Sequence, residues 1–131
     1  MEVLLDTCTL IWFLEANERT PLSVRKIIKE ERNGVYVSLA SLWEIGIKHN
    51  KNPQRMLFSA KEIYDILLRT KVRLLDISAE HVFTLDDVIK QGTHNDPFDH
   101  LLLATAKANK LTLLTHDENL KNYKDIDVMV Y

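Results

Sequence analysis

The chain has 131 residues, of which 46% are hydrophobic and 27% are charged, and its formal net charge is −2. This length suits one domain with its own core, and this composition excludes a disordered or fibrous protein. No apolar stretch approaches the ~20 residues that cross a bilayer, so we expect no membrane association. The start at Met1 lacks a signal-peptide pattern and Cys8 is the single cysteine, so we expect a cytoplasmic protein.

Short apolar runs alternate with helical patterns along the chain. In chain order the pattern predicts a strand over 2–6, a helix over 7–16, a helix from Thr20-Pro21 to a left-handed cap at Asn33-Gly34, a strand over 35–37 and a helix over 38–50. There follow a helix over 59–69, a strand over 72–77, a helix over 78–89, a loop over 91–95, a helix over 96–109, a strand over 111–115, a turn over 117–120 and a strand over 127–130. This alternation predicts an α/β fold with a central, mostly parallel sheet flanked by helices, in one domain over residues 1–131.

Four acidic residues fall at the junctions between these elements. Asp6 ends one predicted strand and Asp117 follows another, whereas Glu44 and Asp99 lie near the starts of two predicted helices. The carboxyl ends of parallel strands share one edge of the sheet, and ligands bind there. Carboxylates gathered at such an edge repel one another unless a hard cation lies between them. The sequence therefore predicts a divalent-metal site.

Each acid also has a structural interpretation. Asp is a favoured N-cap where a strand gives way to a helix. For Asp96, which precedes a proline, an N-cap role is favoured over a role as a metal ligand. Glu44 could complete a capping box with Ser41. Ser38 follows the strand directly and is the better cap, which places Glu44 in the second turn, beside the apolar side of its helix.

Metal chemistry favours carboxylates at this site, because Mg²⁺ and Mn²⁺ take oxygen ligands and can also polarise a phosphodiester. His94, His100 and His116 lie near three of the acids, which leaves open a zinc or manganese site with imidazole ligands. No metal-ligand spacing such as HExxH supports that alternative. Thr7 and Thr115 can each hydrogen-bond a carboxylate that binds the metal and so orient it, or they can be ordinary threonines at strand ends.

A local basic cluster interrupts the near-neutral composition. It consists of Lys48, His49, Lys51 and Arg55. Such a cluster is either the solvated end of a helix or a groove for a phosphate backbone beside the acidic site, and composition leaves both open.

Four segments in the same order resemble the motifs of PIN-domain ribonuclease toxins of the VapC type, from type II toxin–antitoxin systems. The first, Leu4-Leu5-Asp6-Thr7-Cys8-Thr9-Leu10-Ile11-Trp12, resembles their opening LLDTHxLLW. The others are Val37-Ser38-Leu39-Ala40-Ser41-Leu42-Trp43-Glu44-Ile45, His94-Asn95-Asp96-Pro97-Phe98-Asp99-His100, which is similar to (H)RDPFDR, and Leu114-Thr115-His116-Asp117, which is similar to their T-x-D.

The resemblance implies a Rossmann-like PIN domain with an acidic Mg²⁺ site that cleaves RNA, with Mn²⁺ as the alternative metal. It further implies a toxin that is inhibited by a cognate antitoxin protein and that forms a homodimer. By position, the catalytic and metal-binding residues are Asp6, Glu44, Asp99 and Asp117, while Asp96 accompanies the site. This sequence has Cys8 where many relatives have His and His100 where many have Arg.

Partner binding would need exposed apolar surface. Large apolar side chains in the early helices either form such patches or belong to the core. They are Ile11, Trp12, Phe13, Leu14, Leu57, Phe58, Ile63 and Leu67.

Other function classes fit the acids less well. A phosphoacceptor receiver domain needs paired acids after the first strand, and a phosphatase needs Asp-x-Asp, whereas Asp6 is followed by Thr7 and Cys8. A non-catalytic α/β binding domain with an acidic metal site is the remaining alternative. It would be expected to lose one of the acids, and all are present.

Overall fold

A five-stranded sheet with helices on both faces carries the fold of the computed structural model, which describes residues 1–92 and 94–131. The elements are β1 (Glu2–Leu5), α1 (Thr7–Leu14), α2 (Leu22–Lys29), β2 (Gly34–Ser38), α3 (Leu39–Lys51), α4 (Ala60–Leu67), β3 (Arg73–Leu75), α5 (Ala79–Gln91), α6 (Pro97–Asn109), β4 (Thr112–Thr115), a 3₁₀ turn (Glu118–Leu120) and β5 (Val128–Val130). Thr93, in the loop predicted over 91–95, lies outside the described residues. Over the part of the chain that is described, every helix is too short or too polar to cross a bilayer.

The strands lie in the order β3-β2-β1-β4-β5, and each neighbouring pair is parallel. The predicted α/β class with a parallel central sheet is therefore confirmed. The chain adds β2 and β3 on one side of β1 and then returns to place β4 on its other side. The switch point of the topology is thus the gap between the carboxyl ends of β1 and β4, which is where parallel sheets place ligand sites.

The central strand β1 is buried on both faces. Val3 and Leu5 pack into the cluster on the side of α1–α4, whereas Leu4 packs into the cluster formed with α6. All three side chains are 0% exposed. A continuous apolar run without polar alternation is typical of a strand that helices cover on both faces. Burial on both faces fixes the register of β1 and hence the position of the residue that follows it.

The second helix differs from its prediction at both ends. Pro21 has ψ 158° and caps the helix, which begins at Leu22 rather than at Pro21. The helix ends at Lys29, because Glu30 is already extended, four residues before the predicted stop. Gly34 is the first residue of β2, where its N–H donates to the Met1 carbonyl at 2.9 Å, and is not a left-handed cap. Pairing with β1 therefore outweighs the tendency of Asn-Gly to end a helix.

Two glycines are expected to respond in opposite ways to alanine. A Cβ on Gly92 would lie 2.1 Å from Tyr123 Oη, whereas a Cβ on Gly46, inside α3, would lie 3.6 Å from the Ala60 Cβ, an ordinary contact. Gly92→Ala should therefore lower the free energy of unfolding by ~1–3 kcal/mol, because the new methyl group overpacks the site. Gly46→Ala should raise it by ~1 kcal/mol, because alanine favours the helix.

Urea unfolding of the two variants and the parent measures both effects. The double variant Gly92→Ala/Tyr123→Phe should recover part of the loss, since it removes the nearest clashing atom. A Gly92→Ala protein as stable as the parent would show that Tyr123 moves aside without cost.

Candidate functional site

Asp6 lies where β1 passes into α1, and the ladder with β4 holds it in place. Its N–H donates to the Leu114 carbonyl at 3.1 Å, and its side chain is 7% exposed. Oδ1 accepts from the Thr9 N–H at 2.7 Å, so Asp6 is the N-cap of α1. Oδ2 accepts from the Thr115 hydroxyl on the neighbouring strand. The cap interpretation of Asp6 is therefore correct, but it uses one of the two carboxylate oxygens.

The Thr115 hydroxyl also connects Asp6 to Asp117. Its oxygen accepts from the Asp117 N–H at 3.0 Å while its proton is donated to Asp6. Asp117 in turn accepts from the Asn119 N–H through Oδ1 at 2.9 Å and caps the 3₁₀ turn. One oxygen of Asp117 is thus committed to the backbone.

Glu44 is buried in the second turn of α3, 8% exposed. Its Oε1 lies 2.7 Å from the Thr7 hydroxyl, which also lies 2.9 Å from the Ser41 hydroxyl. Its Oε2 lies 2.7 Å from Lys48 Nζ, one turn along the same helix. Ser38 caps α3 by accepting from the Ala40 N–H, as predicted, so Glu44 takes no part in capping.

Asp96 and Asp99 open helix α6 in different roles. Asp96 is the N-cap, with Oδ1 accepting from the N–H groups of Phe98 at 2.8 Å and Asp99 at 3.4 Å. Asp99 Oδ2 lies 2.6 Å from His94 Nε2. The His94 carbonyl accepts from His100 Nε2 at 2.6 Å, which ties the preceding loop to the first turn of α6. His100 therefore positions the loop that carries His94.

His94, Asp99 and Asp117 form a compact group. Each offers one ligand atom, and these atoms lie within 4.8 Å of one another. Asp6 and Glu44 are outside this group, although the charge of Asp6 acts on Asp99 and the charge of Glu44 acts on Asp6. His94 was not among the four predicted residues. The sequence signals for it were its position near Asp99, which left it open as an imidazole ligand, and its place at the start of the segment similar to (H)RDPFDR.

Burial raises the pKa of two of the acids, Asp6 and Asp99. It is the main cause that raises the pKa of Asp6, against hydrogen bonds from Thr115 and Thr9, with a further rise from the charge of Glu44. Burial likewise raises the pKa of Asp99, against its bond to His94, while the charges of Asp96 and Asp6 add to the rise. Burial lowers the pKa of Lys48, but its hydrogen bond and attraction to Glu44 outweigh that and raise it overall. The ionised forms of Asp6 and Asp99 are therefore disfavoured unless a cation is near.

The sequence matches a known family over almost its full length. The sequence model of the PIN domain matches residues 3–126, which confirms the resemblance drawn from the motifs. No curated protein sequence is significantly similar to the chain.

Solved structures of toxin–antitoxin proteins share the fold. VapBC2 from Rickettsia felis, bound to a DNA fragment from its promoter, has a TM-score of 0.76 at 19% identity, covering 99% of this chain and 98% of that one. DNA-bound VapBC from Salmonella typhimurium has a TM-score of 0.74 at 17% identity with the same coverage. VapC20 from Mycobacterium tuberculosis, a Sarcin-Ricin loop cleaving toxin, has a TM-score of 0.64 at 16% identity, covering 95% of this chain and 98% of that one.

Two substitutions of Asp96 should distinguish the stability that comes from its N-cap hydrogen bonds from any effect of its negative charge. Asp96→Ala removes the acceptor for two backbone N–H groups and should lower the free energy of unfolding by ~1 kcal/mol. Asp96→Asn keeps an equally good cap without the charge and should stay within a few tenths of a kcal/mol of the parent. Urea unfolding in EDTA measures both. An Asn variant as unstable as the Ala variant would mean that the charge, and not the cap, stabilises α6.

Proposed function

The chain belongs to the PIN domain family, and from that premise we propose that it is a metal-dependent endoribonuclease and the toxin of a toxin–antitoxin pair. It would hydrolyse RNA phosphodiester bonds. Two kinds of structurally similar protein support this proposal: VapC20, a toxin that cleaves the Sarcin-Ricin loop, and the VapBC complexes.

We assign the metal-binding and catalytic roles to Asp6, Glu44, Asp99 and Asp117. The observation that carries this assignment is the gathering of carboxylates around the β1/β4 switch point. Asp6 and Glu44 are buried there, Asp99 and Asp117 are half-buried, and burial raises the pKa of Asp6 and of Asp99. A buried cluster of like charges is costly, and a divalent cation relieves that cost. Carboxylate oxygens suit Mg²⁺ or Mn²⁺, so the residues present fit the metal that the family implies.

The surrounding residues orient these acids. Thr115 and Thr7 bond to Asp6 and Glu44, so neither carboxylate can rotate freely. Asp96 fixes the start of α6 and thereby the position of Asp99. A bound Mg²⁺ or Mn²⁺ would supply polarisation of the phosphate and activation of water. Hydrogen bonds that hold such ligands in one orientation preserve the geometry that this chemistry needs.

Asp99→Asn should abolish RNA cleavage while leaving the metal-free protein at least as stable as the parent. Cleavage is lost because a ligand charge is removed. Stability is kept because burial penalises the ionised Asp99 carboxylate. Since the folded pKa is raised, the contribution of Asp99 to stability is full below its unfolded pKa of ~3.9 and is lost as pH rises through the folded pKa. The free energy of unfolding of Asp99→Asn should therefore increase relative to that of the parent as pH rises above the unfolded pKa.

Two measurements test these effects. The first is cleavage of single-stranded and structured RNA, assayed with Mg²⁺, Mn²⁺ and EDTA. The second is a set of melting curves in EDTA from pH 4 to 8. Asp65→Asn is the matched control, because it removes a carboxylate whose exposed ion pair with Lys61 is worth little. The control should cut RNA like the parent. Undiminished cleavage in EDTA, or by Asp99→Asn, would refute the metal-site assignment.

We further propose that the chain forms a homodimer and binds a cognate antitoxin protein. Of the apolar residues considered in the sequence, Ile11, Ile63 and Leu67 are buried and Leu57 is exposed, while Trp12, Phe13, Leu14 and Phe58 are intermediate. Large exposed side chains also occur on other helices, with Trp43 60% and Phe83 75% exposed. Exposed apolar groups of this size are available for protein contacts.

Light scattering of the purified chain should give the mass of a dimer, because burying such side chains between two copies is favourable. Trp43→Glu and Phe83→Glu test α3 and α5 separately, and the variant that becomes monomeric identifies the helix at the interface. A parent protein that is monomeric at high concentration would refute the homodimer.

A further inference from the structure

Two adjoining cavities run along the carboxyl-terminal half of α3. The first, of about 430 Å³, is lined by Glu44, Ile47, Lys48, Lys51, Asp96, Pro97 and Phe98. The second, of about 410 Å³, is lined by Lys48, Lys51, Asn52, Arg55 and Met56. Because Lys48 and Lys51 line both, the cavities form one trough. The trough begins at the acidic site and ends at Arg55.

Charge changes sign along this trough. Its inner end holds the carboxylates of Glu44 and Asp96, and its outer end holds Lys51 and Arg55. Lys48 is paired with Glu44 at 2.7 Å. None of the ion pairs found over residues 1–92 and 94–131 includes Lys51 or Arg55. Two cations therefore face the outer trough without a carboxylate to neutralise them.

The backbone that carries Arg55 is held against α3. The Arg55 N–H donates to Asn52, to the carbonyl at 3.1 Å and to Oδ1 at 3.3 Å. His49 Nδ1 donates to the Met56 carbonyl at 2.7 Å, which folds the segment after α3 back onto the helix. The outer end of the trough is thus a structured turn.

The inner trough also has an apolar wall. Ile47 of α3 faces Pro97 and Phe98 of α6 across it, and the Phe98 ring packs edge-on against Trp43 with centroids 5.1 Å apart. Apolar and aromatic surfaces contact the bases of single strands, whereas a duplex hides its base faces in the stack. A ligand of this trough should therefore combine regularly spaced negative charges with exposed flat rings.

We propose that the trough binds single-stranded RNA, with Lys51 and Arg55 on its phosphates, and leads the strand to the carboxylates. This inference rests on the proposed ribonuclease function. Lys51 and Arg55 touch substrate away from the reacting atoms, so their contacts are the same in the ground state and the transition state. Such contacts lower KM and leave kcat nearly unchanged.

The test compares Lys51→Gln/Arg55→Gln with Lys29→Gln/Arg32→Gln, a matched pair at the exposed end of α2. Both variants lose the same charge. Binding of a short, mixed-sequence, single-stranded oligoribonucleotide is followed by fluorescence anisotropy in EDTA, over a series of salt concentrations. The trough variant should bind about tenfold more weakly. The slope of log affinity against log salt should fall by ~1.4 in magnitude, because two phosphate contacts are lost.

Cleavage assays with Mn²⁺ distinguish a failure of the trough proposal from a failure of the ribonuclease proposal. In the trough variant, KM should rise about tenfold with little change in kcat, and the control variant should match the parent. If the parent cuts RNA but the trough and control variants bind with equal affinity and salt slope, the trough is not the RNA path and the ribonuclease proposal stands. If the parent neither binds nor cuts RNA, both proposals fail. The single variants Lys51→Gln and Arg55→Gln, each expected to show about half the change in slope, serve if the double variant does not fold.

Discussion

The relative positions of Asp6 and Asp117 depend on two hydrogen bonds made by the hydroxyl group of Thr115. It donates to Asp6 and accepts from the backbone of Asp117, and so joins the ends of two parallel strands. The contact exists because β1 and β4 pair in one register, with Leu5 opposite Leu114. Burial of β1 on both faces fixes that register, since a shift by one residue would exchange the residues of its two faces. Core packing thereby sets the geometry of the candidate site.

That geometry is costly in the metal-free protein. Asp6 and Glu44 are both buried, and the one cation paired with Glu44 among the described residues is Lys48. Hydrogen bonds from Thr7 and Thr115 hold the carboxylates in place but do not neutralise them. The fold thus maintains a concentration of negative charge that a free chain would disperse. Under the proposed function, a metal ion relieves this repulsion, so the carboxylates that destabilise the metal-free fold are the groups that favour binding of the cation.

Much of this architecture could be predicted from the sequence, because its signals are local. The apolar run Val3–Leu5, the serines that cap α3, α4 and α5 and the Asp96-Pro97 start of α6 each act within a few residues. The end of α2 was predicted wrongly because the pairing of Gly34 with β1 depends on distant chain. The closeness of His94 to Asp117 and the bond between Thr7 and Glu44 likewise join residues far apart in sequence. Contacts of this kind form only when the sheet brings distant segments together, so local sequence patterns do not predict them.

The capping role of Asp117 has an evolutionary consequence. Its Oδ1 accepts from the Asn119 N–H, a bond that asparagine makes equally well. A change from aspartate to asparagine at this position preserves the turn and removes a charge from the acidic cluster. Under the proposed function, a lineage that no longer needs the nuclease can lose catalysis in one step and keep a folded, partner-binding protein. Relatives with an intact fold and an incomplete acid set are then descendants that selection can retain as binding proteins.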